Sequence, residues 1–229
     1  MSQLDSQKNV LTTIEENILR ARQMVVGRDA LFLIARALFE NKLGANSKIL
    51  VVGSGWGDEI FIFGKPNPDW RFVGVDLSEE MLNLARARFA AENFPNKVEL
   101  HQTDARNLND ENFDAATCIL TLHFVPDDGA KLAVLQAIRQ RLKPGAPFFL
   151  VDAVRESDEA AFRENIAAWK RHARNNGCSP ETIEKMLENT MTLPLVTEER
   201  ETELLREADF AEARKVYQGI FINGWLCRA

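Results

Sequence analysis

The run Lys48-Ile49-Leu50-Val51-Val52 passes without interruption into Gly53-Ser54-Gly55-Trp56-Gly57. A short aliphatic, β-branched run of this kind suits a strand buried on both faces. Glycines directly after it form a tight turn in which the backbone can approach a ligand closely and aim its amides at it. Strand, glycine turn and helix in that order open a parallel sheet with helices on its faces, so this segment constrains what the rest of the chain can be.

Downstream, the hydrophobic period switches repeatedly between helix and strand. A helix near Asp58 to Phe63 precedes a strand at Arg71 to Val75, and a helix at Glu79 to Glu92 precedes strands at Val98 to Gln102 and Ala115 to Leu120. A helix near Asp128 to Arg141 follows, then the turn Lys143-Pro144-Gly145 and a strand at Pro147 to Val151. The alternation stops after Asp152. Ser157 to Asn176 reads as a long helix with Phe162, Ile166 and Trp169 on one face. A second added helix has Ser179 as N-cap, Pro180 at its first position, Ile183, Met186 and Leu187 inward, and Pro194 at its end. The tail reads as a hairpin: Arg214 to Ile222, a turn at Asn223-Gly224, then Trp225 to Arg228.

Ahead of the first strand, Val10, Leu11, Ile14, Ile18 and Leu19 recur at helical spacing. A second helix starting at Asp29 carries Leu31, Phe32, Ala35, Leu38 and Phe39 inward, and Gly44 supplies a left-handed stop after Leu43. The expected fold class is α/β: a Rossmann-like doubly wound sheet, mostly parallel with a C-terminal antiparallel hairpin, plus N-terminal helices and a helical insertion before the hairpin. Residues 1–229 are expected to form a single domain, with N-terminal helices at 1–46, a ligand-binding core at 47–152, the insertion at 153–196, and a last helix with the hairpin at 197–229.

Charge and composition narrow the function. With 34 acidic against 28 basic residues, the net charge of -6 repels a polyanion at long range. Lys170, Arg171 and Arg174 on the added helix are the one hint of a basic patch, and RNA is left open on that account. No apolar stretch approaches the roughly 20 residues of a membrane span. The polar start Met1 to Asn9 has no apolar signal-peptide core, so no membrane partner and a cytoplasmic location are expected. Cys118, Cys178 and Cys227 lack CxxC spacing, and His101 and His172 lack ligating neighbours, so neither a disulfide framework nor a metal site is expected.

The second strand ends at Asp76, about twenty residues beyond the glycine turn, where a carboxylate can accept from both hydroxyls of a ribose. Ser78 can cap the next helix and Glu79 and Glu80 suit its dipole, which leaves Asp76 for a ligand. The third strand runs into Gln102-Thr103-Asp104-Ala105, placing another carboxylate at the same sheet edge, where it can accept from an adenine amino group. A dinucleotide fingerprint would want glycine at position 58, and Asp58 stands there, so an adenosine without pyrophosphate fits better.

Together with Phe113-Asp114 and Leu142-Lys143-Pro144-Gly145, these motifs resemble the class I S-adenosylmethionine-dependent methyltransferases. The resemblance implies that Gly53, Gly55 and Gly57 lie under the methionine part of S-adenosylmethionine, with Ser54 in the same cofactor site; Trp56, bulky for such a turn, either packs or shields the cofactor. It further implies that Asp76 binds the ribose, that Asp104 and Ala105 read the adenine with Met81 nearby, and that Leu77 and Leu120 belong to the same cofactor site. The family usually has an acid two positions before the first glycine; here that position is Val51, so the cofactor's amino group needs another partner.

A narrower resemblance runs through Thr121-Leu122-His123-Phe124, Lys170-Arg171 to Asn176-Gly177, and Met186-Leu187-Glu188-Asn189. It is to the carboxy-S-adenosylmethionine-dependent tRNA uridine carboxymethyltransferases and their relatives. Those proteins place an arginine for the extra carboxylate where Glu184 stands, and Glu184 repels such a group, favouring ordinary S-adenosylmethionine. The helices between Ser157 and Pro194 expose apolar residues that could cover the active site or pair two subunits, and the same relatives imply a homodimer.

Methyl transfer from a sulfonium is an in-line displacement, which chiefly requires that the acceptor be held close and water excluded. His123 beyond the fourth strand and Asp152 beyond the fifth are the candidates to take a proton from the acceptor, and Arg28, between the N-terminal helices, could meet an acidic acceptor. A small-molecule acceptor is expected. Rival readings are a tRNA-modifying methyltransferase, a nicotinamide-dependent oxidoreductase, disfavoured by Asp58 and the hairpin, and a noncatalytic cofactor-binding protein.

Overall fold

The computed structural model describes the backbone from Gln3 and the side chains from Thr12 to Ala229; the readings made on the side chains of Met1 to Leu11 lie outside the described residues. Two helices, α1 (Gln3–Met24) and α2 (Arg28–Glu40), precede β1 (Lys48–Val52). The chain then alternates through α3 (Asp58–Gly64), β2 (Arg71–Asp76), α4 (Glu79–Ala91), β3 (Lys97–Gln102), β4 (Ala115–Ile119), α5 (Ala130–Arg141) and β5 (Pro147–Ala153). Three more helices, α6 (Glu159–Asn175), α7 (Pro180–Met191) and α8 (Glu198–Glu207), lead to β6 (Ala211–Gly219) and β7 (Ile222–Arg228).

The described strands form one sheet in the order β3-β2-β1-β4-β5-β7-β6, parallel from β3 to β5 and antiparallel at β5–β7 and β7–β6. The chain order reverses between β1 and β4, the switch point at which open α/β sheets leave a crevice beyond their strand ends. Alternation along the strands divides the core in two. Leu50, Val52, Val73, Val75, Phe148 and Leu150 pack with Val134, Leu135 and Ile138 of α5 and Leu204 and Leu205 of α8. Ile49, Val51, Phe72, Phe149 and Val151 face the other way, onto Leu31, Phe32 and Phe39 of α2 and Ile60 and Phe63 of α3.

Three local expectations change in the folded chain. The hairpin turns at Ile220-Phe221, with Ile220 at φ 61°, and Asn223-Gly224 lies inside β7. Starting the strand at Ile222 gives β5 a partner along its whole length, from Pro147 opposite Arg228 to Ala153 opposite Ile222. A turn at Asn223-Gly224 would have left the end of β5 unpaired on that side, and buried backbone groups need partners. Before β1 the left-handed residue is Asn46, at φ 62°, rather than Gly44. Asp152 lies within β5 at 0% exposure rather than beyond it.

The insertion is tied back to the N-terminal helix. Trp169 Nε1 donates to the Met24 carbonyl at 2.9 Å and Gln23 Nε2 donates to the Asn176 carbonyl at 2.9 Å. Trp169, Ala173, Cys178 and Ile183 form a small separate apolar cluster there. Among the described residues, no helix is long and apolar enough to cross a membrane.

Candidate functional site

Beyond the C-terminal ends of β1, β2, β3 and β4 lies a cavity of about 620 Å³, of a size that suits a small-molecule ligand. Its floor is the glycine turn, Gly53 to Trp56; its sides are Asp76, Leu77, Ser78 and Met81, then Thr103, Asp104 and Ala105, then Ile119 to Leu122. Ala21, Arg28 and Phe32 of the N-terminal helices close it from above.

The turn can form only with glycine at its tightest points. Gly53, Gly55 and Gly57 all have positive φ, between 49° and 75°. A Cβ on Gly53 would collide with Oγ1 of Thr121, which has come across from the end of β4, and a Cβ on Gly57 would collide with Phe89. Gly57 therefore faces α4 and, unlike the other four residues of the turn, does not line the cavity. A Cβ on Gly55 would meet nothing within 4 Å.

Asp76 holds the turn. Its Oδ2 accepts from the Gly55 amide at 2.8 Å and its Oδ1 from the Ser78 amide at 2.8 Å, while Ser78 caps α4 by accepting from the Met81 amide. A carboxylate has about four acceptor positions, so two backbone amides leave capacity for a ligand on each oxygen. Asp104 is more committed. Arg106 donates to it through its backbone amide at 2.8 Å, Nε at 2.9 Å and Nη2 at 2.8 Å, and these bonds hold its carboxyl below the usual range. Leu120 has φ 55°, a conformation that strains a branched residue, and its amide is fixed to the Val151 carbonyl at 2.8 Å.

The wall under α2 and α3 is charged and buried. Arg28, 4% exposed, is bonded to Asp58 and to Asp29, and it stacks on Phe32 at 4.7 Å. Asp58 also takes Nη1 of Arg88 at 3.0 Å. Next to it Glu59, 5% exposed, accepts from the hydroxyl of Thr117 on β4, and burial pushes its carboxyl up to about 8. The sequence reading missed Glu59 and Thr121; the acidic pair after Gly57 was a signal, but a helical residue there does not announce which way it points.

His123 and Asp152 come together, but not at the cavity. Oδ1 of Asp152 receives the His123 amide at 2.9 Å and lies 2.6 Å from His123 Nδ1, and neither residue lines the cavity. This corrects the expectation that they reach the cleft: Asp152 is inside a central strand, and the backbone amide of His123 draws that loop onto it. Lys131, also fully buried, stands 3.7 Å from the other Asp152 oxygen and donates to the Leu122 carbonyl at 3.0 Å. Buried Glu201 of α8 belongs to the same group of charges; burial and the neighbouring Asp152 push its carboxyl up. Glu184 is likewise away from the cavity, bonded through both oxygens to Lys170 of α6 at 2.8 Å, so its charge is answered within the insertion.

Comparison with known proteins agrees with this geometry. Residues 50–148 match the family described as "Methyltransferase domain". A carboxy-S-adenosyl-L-methionine synthase of Wolinella succinogenes is 30% identical over 161 residues, 69% of this chain and 64% of its own. A ubiquinone biosynthesis O-methyltransferase of Aliivibrio fischeri is 29% identical over 164 residues, 67% of each chain. This chain spans slightly less than two thirds of two of the synthases it matches, 64% of the Wolinella protein and 62% of one from Klebsiella pneumoniae. Among solved structures, a SAM-dependent methyltransferase from Methanosarcina mazei superposes with a TM-score of 0.62 at 20% identity, covering 83% of this chain and 96% of that one. Another from Aquifex aeolicus gives 0.60 at 18% identity, covering 91% and 92%, and at such identities the likeness is one of fold. Residues 50–148 thus match a methyltransferase domain, on a fold shared with SAM-dependent methyltransferases, and the chain is similar in sequence to the carboxy-S-adenosyl-L-methionine synthases; S-adenosylmethionine is the cofactor that these likenesses imply.

Proposed function

We propose that this protein transfers a methyl group from S-adenosylmethionine to a small-molecule acceptor. The observation that carries the reading is the convergence of the glycine turn, Asp76 and Asp104 on one cavity at the sheet's switch point. The residues present fit an adenosyl group. Asp76 keeps an acceptor position on each oxygen for ribose hydroxyls, and Gly55 leaves open the space a side chain would fill. Met81, Val75, Ala105 and Leu122 supply apolar wall for a base, while Asp104 must share its oxygens between the base and Arg106.

The bound cofactor supplies an electrophilic methyl on a sulfonium, so the chain's residues need to position the acceptor and keep water out. Phe32, Leu120, Phe124 and Val125 line the remaining wall, which favours an acceptor with an apolar body. The quinone-pathway methyltransferases among the relatives, for ubiquinone and for demethylmenaquinone, are consistent with such an acceptor. Arg28 is reserved by Asp58 and Asp29, so it is a wall residue first and an acceptor contact second. Homodimer formation and a cytoplasmic location remain part of the proposal, the former resting on the resemblance and on Met191 of the insertion, 48% exposed.

Calorimetric titration with S-adenosylmethionine and S-adenosylhomocysteine tests the cofactor, and a screen of small phenols, quinols, amines and carboxylates for S-adenosylhomocysteine production tests the acceptor. Binding of both ligands with NADH silent is expected. A folded sample that binds neither overturns the reading.

A further inference from the structure

Among the described residues, four carboxylates line the cavity: Asp58, Glu59, Asp76 and Asp104. Three are answered where they stand. Asp58 is held by Arg28 and Arg88, Asp104 by Arg106, and Asp76 by two backbone amides. Glu59 is different, because the group bonded to it is the neutral hydroxyl of Thr117. A carboxylate buried against a ligand cavity without a bonded cation is costly to ionise, and a cationic group brought by a ligand removes that cost.

Its position matters as much as its charge. Thr117 is the partner of Val51 in the β1–β4 pairing, and two residues on from Val51 the chain enters the glycine turn at Gly53. The first turn of α3 thus carries a carboxylate across to the strand end that β1 itself leaves apolar, with Val51 at 0% exposure.

We propose that Glu59 is the counter-ion for the α-ammonium group at the amino-acid end of the adenosyl ligand. The assignment rests on the cofactor reading above. The groups facing Glu59 are Arg28 from α2 and Thr117 and Cys118 from β4. Arg28 favours the ionised form from a distance but spends its bonds on Asp58 and Asp29, and Cys118 is a buried thiol whose own ionisation is pushed up. In the ligand-free protein the Glu59 carboxyl, near 8, carries its proton at neutral pH. Arrival of the ammonium ionises it, and that proton passes to solvent, so binding is linked to proton release.

The test is calorimetry at pH 7 in buffers of different ionisation enthalpy, using S-adenosylhomocysteine, S-adenosylmethionine and 5′-methylthioadenosine. Release of close to one proton is expected with the first two and none with methylthioadenosine, which lacks the amino acid. Glu59→Gln should abolish the release and weaken S-adenosylhomocysteine by about 10- to 100-fold, leaving methylthioadenosine within about twofold. The wild-type measurement stands by itself if that variant does not fold. Binding of S-adenosylhomocysteine without proton release overturns the assignment of Glu59 alone. Release with S-adenosylmethionine only would point to the sulfonium and also overturn it, and a folded protein that binds none of the three would overturn the cofactor reading and this inference together.

Discussion

The Gly55 amide donates to Oδ2 of Asp76 at 2.8 Å, so the carboxylate at the end of β2 shapes the turn at the end of β1. Asp76→Ala removes both the turn's acceptor and the oxygens available to a ribose. Affinity for S-adenosylhomocysteine should fall by about 10- to 100-fold, the scale of a charge-assisted hydrogen bond or two. Titration calorimetry on a sample whose circular dichroism matches the parent checks this, and unchanged affinity would remove Asp76 from the site.

Gly53 is fixed by a neighbour that the sequence does not place beside it. At φ 72°, with Thr121 Oγ1 in the position a Cβ would take, Gly53→Ala has both a backbone and a steric cost. A loss of about 1–3 kcal/mol in urea denaturation is expected from the backbone strain alone, together with weaker adenosyl binding. Parent-like stability would mean that the β4 loop moves freely away from the turn.

His123→Ala separates a structural role from a catalytic one. The ring is 2.6 Å from Asp152, which has no exposure, and its loss removes a hydrogen-bond partner from that carboxylate, which keeps the His123 amide and has Lys131 at 3.7 Å. Removing a hydrogen bond to a buried charged group costs about 1.5–3 kcal/mol. Thermal unfolding should show that loss while S-adenosylhomocysteine affinity stays unchanged, and a stable variant with impaired ligand binding would return His123 to the site.

Two buried glutamates make stability depend on pH in a stated direction. Glu59 and Glu201 both have folded-state values raised above the ordinary 4.5 by burial. Below pH 4.5 both are protonated folded or unfolded; as pH rises toward 8 the unfolded chain gives up these protons and the folded one keeps them, so this contribution to stability is lost across that window. Urea denaturation from pH 5.5 to 8.5 should show a shallower decline in Glu201→Gln than in the parent. Parallel curves would show that Glu201 ionises in the folded protein as it does in water.

Much of the fold is local and was legible. The β-branched run before Gly53, the caps at Ser78 and Ser179, and the 3.6-residue period of α2 and α6 depend on near neighbours, and each element formed within a few residues of its expected bounds. The cavity-lining residues at strand ends were legible for the same reason: a strand's C-terminus in a parallel sheet points at the crevice whatever its partners are. The Asn223-Gly224 reading failed because a turn preference of local origin gave way to the backbone pairing that β5 demands over its full length.

The sequence alone therefore determined the order of elements, the doubly wound sheet and the edge at which Gly53, Asp76 and Asp104 line a cavity. What only tertiary structure decided is which of several similar acids and bases line that cavity. Asp152 went into the sheet and bonded His123, Asp58 went to two arginines, and Glu59 came to rest against Thr117, 58 residues along the chain. The physical reason is that burial and partnering of a charge are set by residues distant in sequence, whereas helix, strand and turn preferences are set by residues a few positions away.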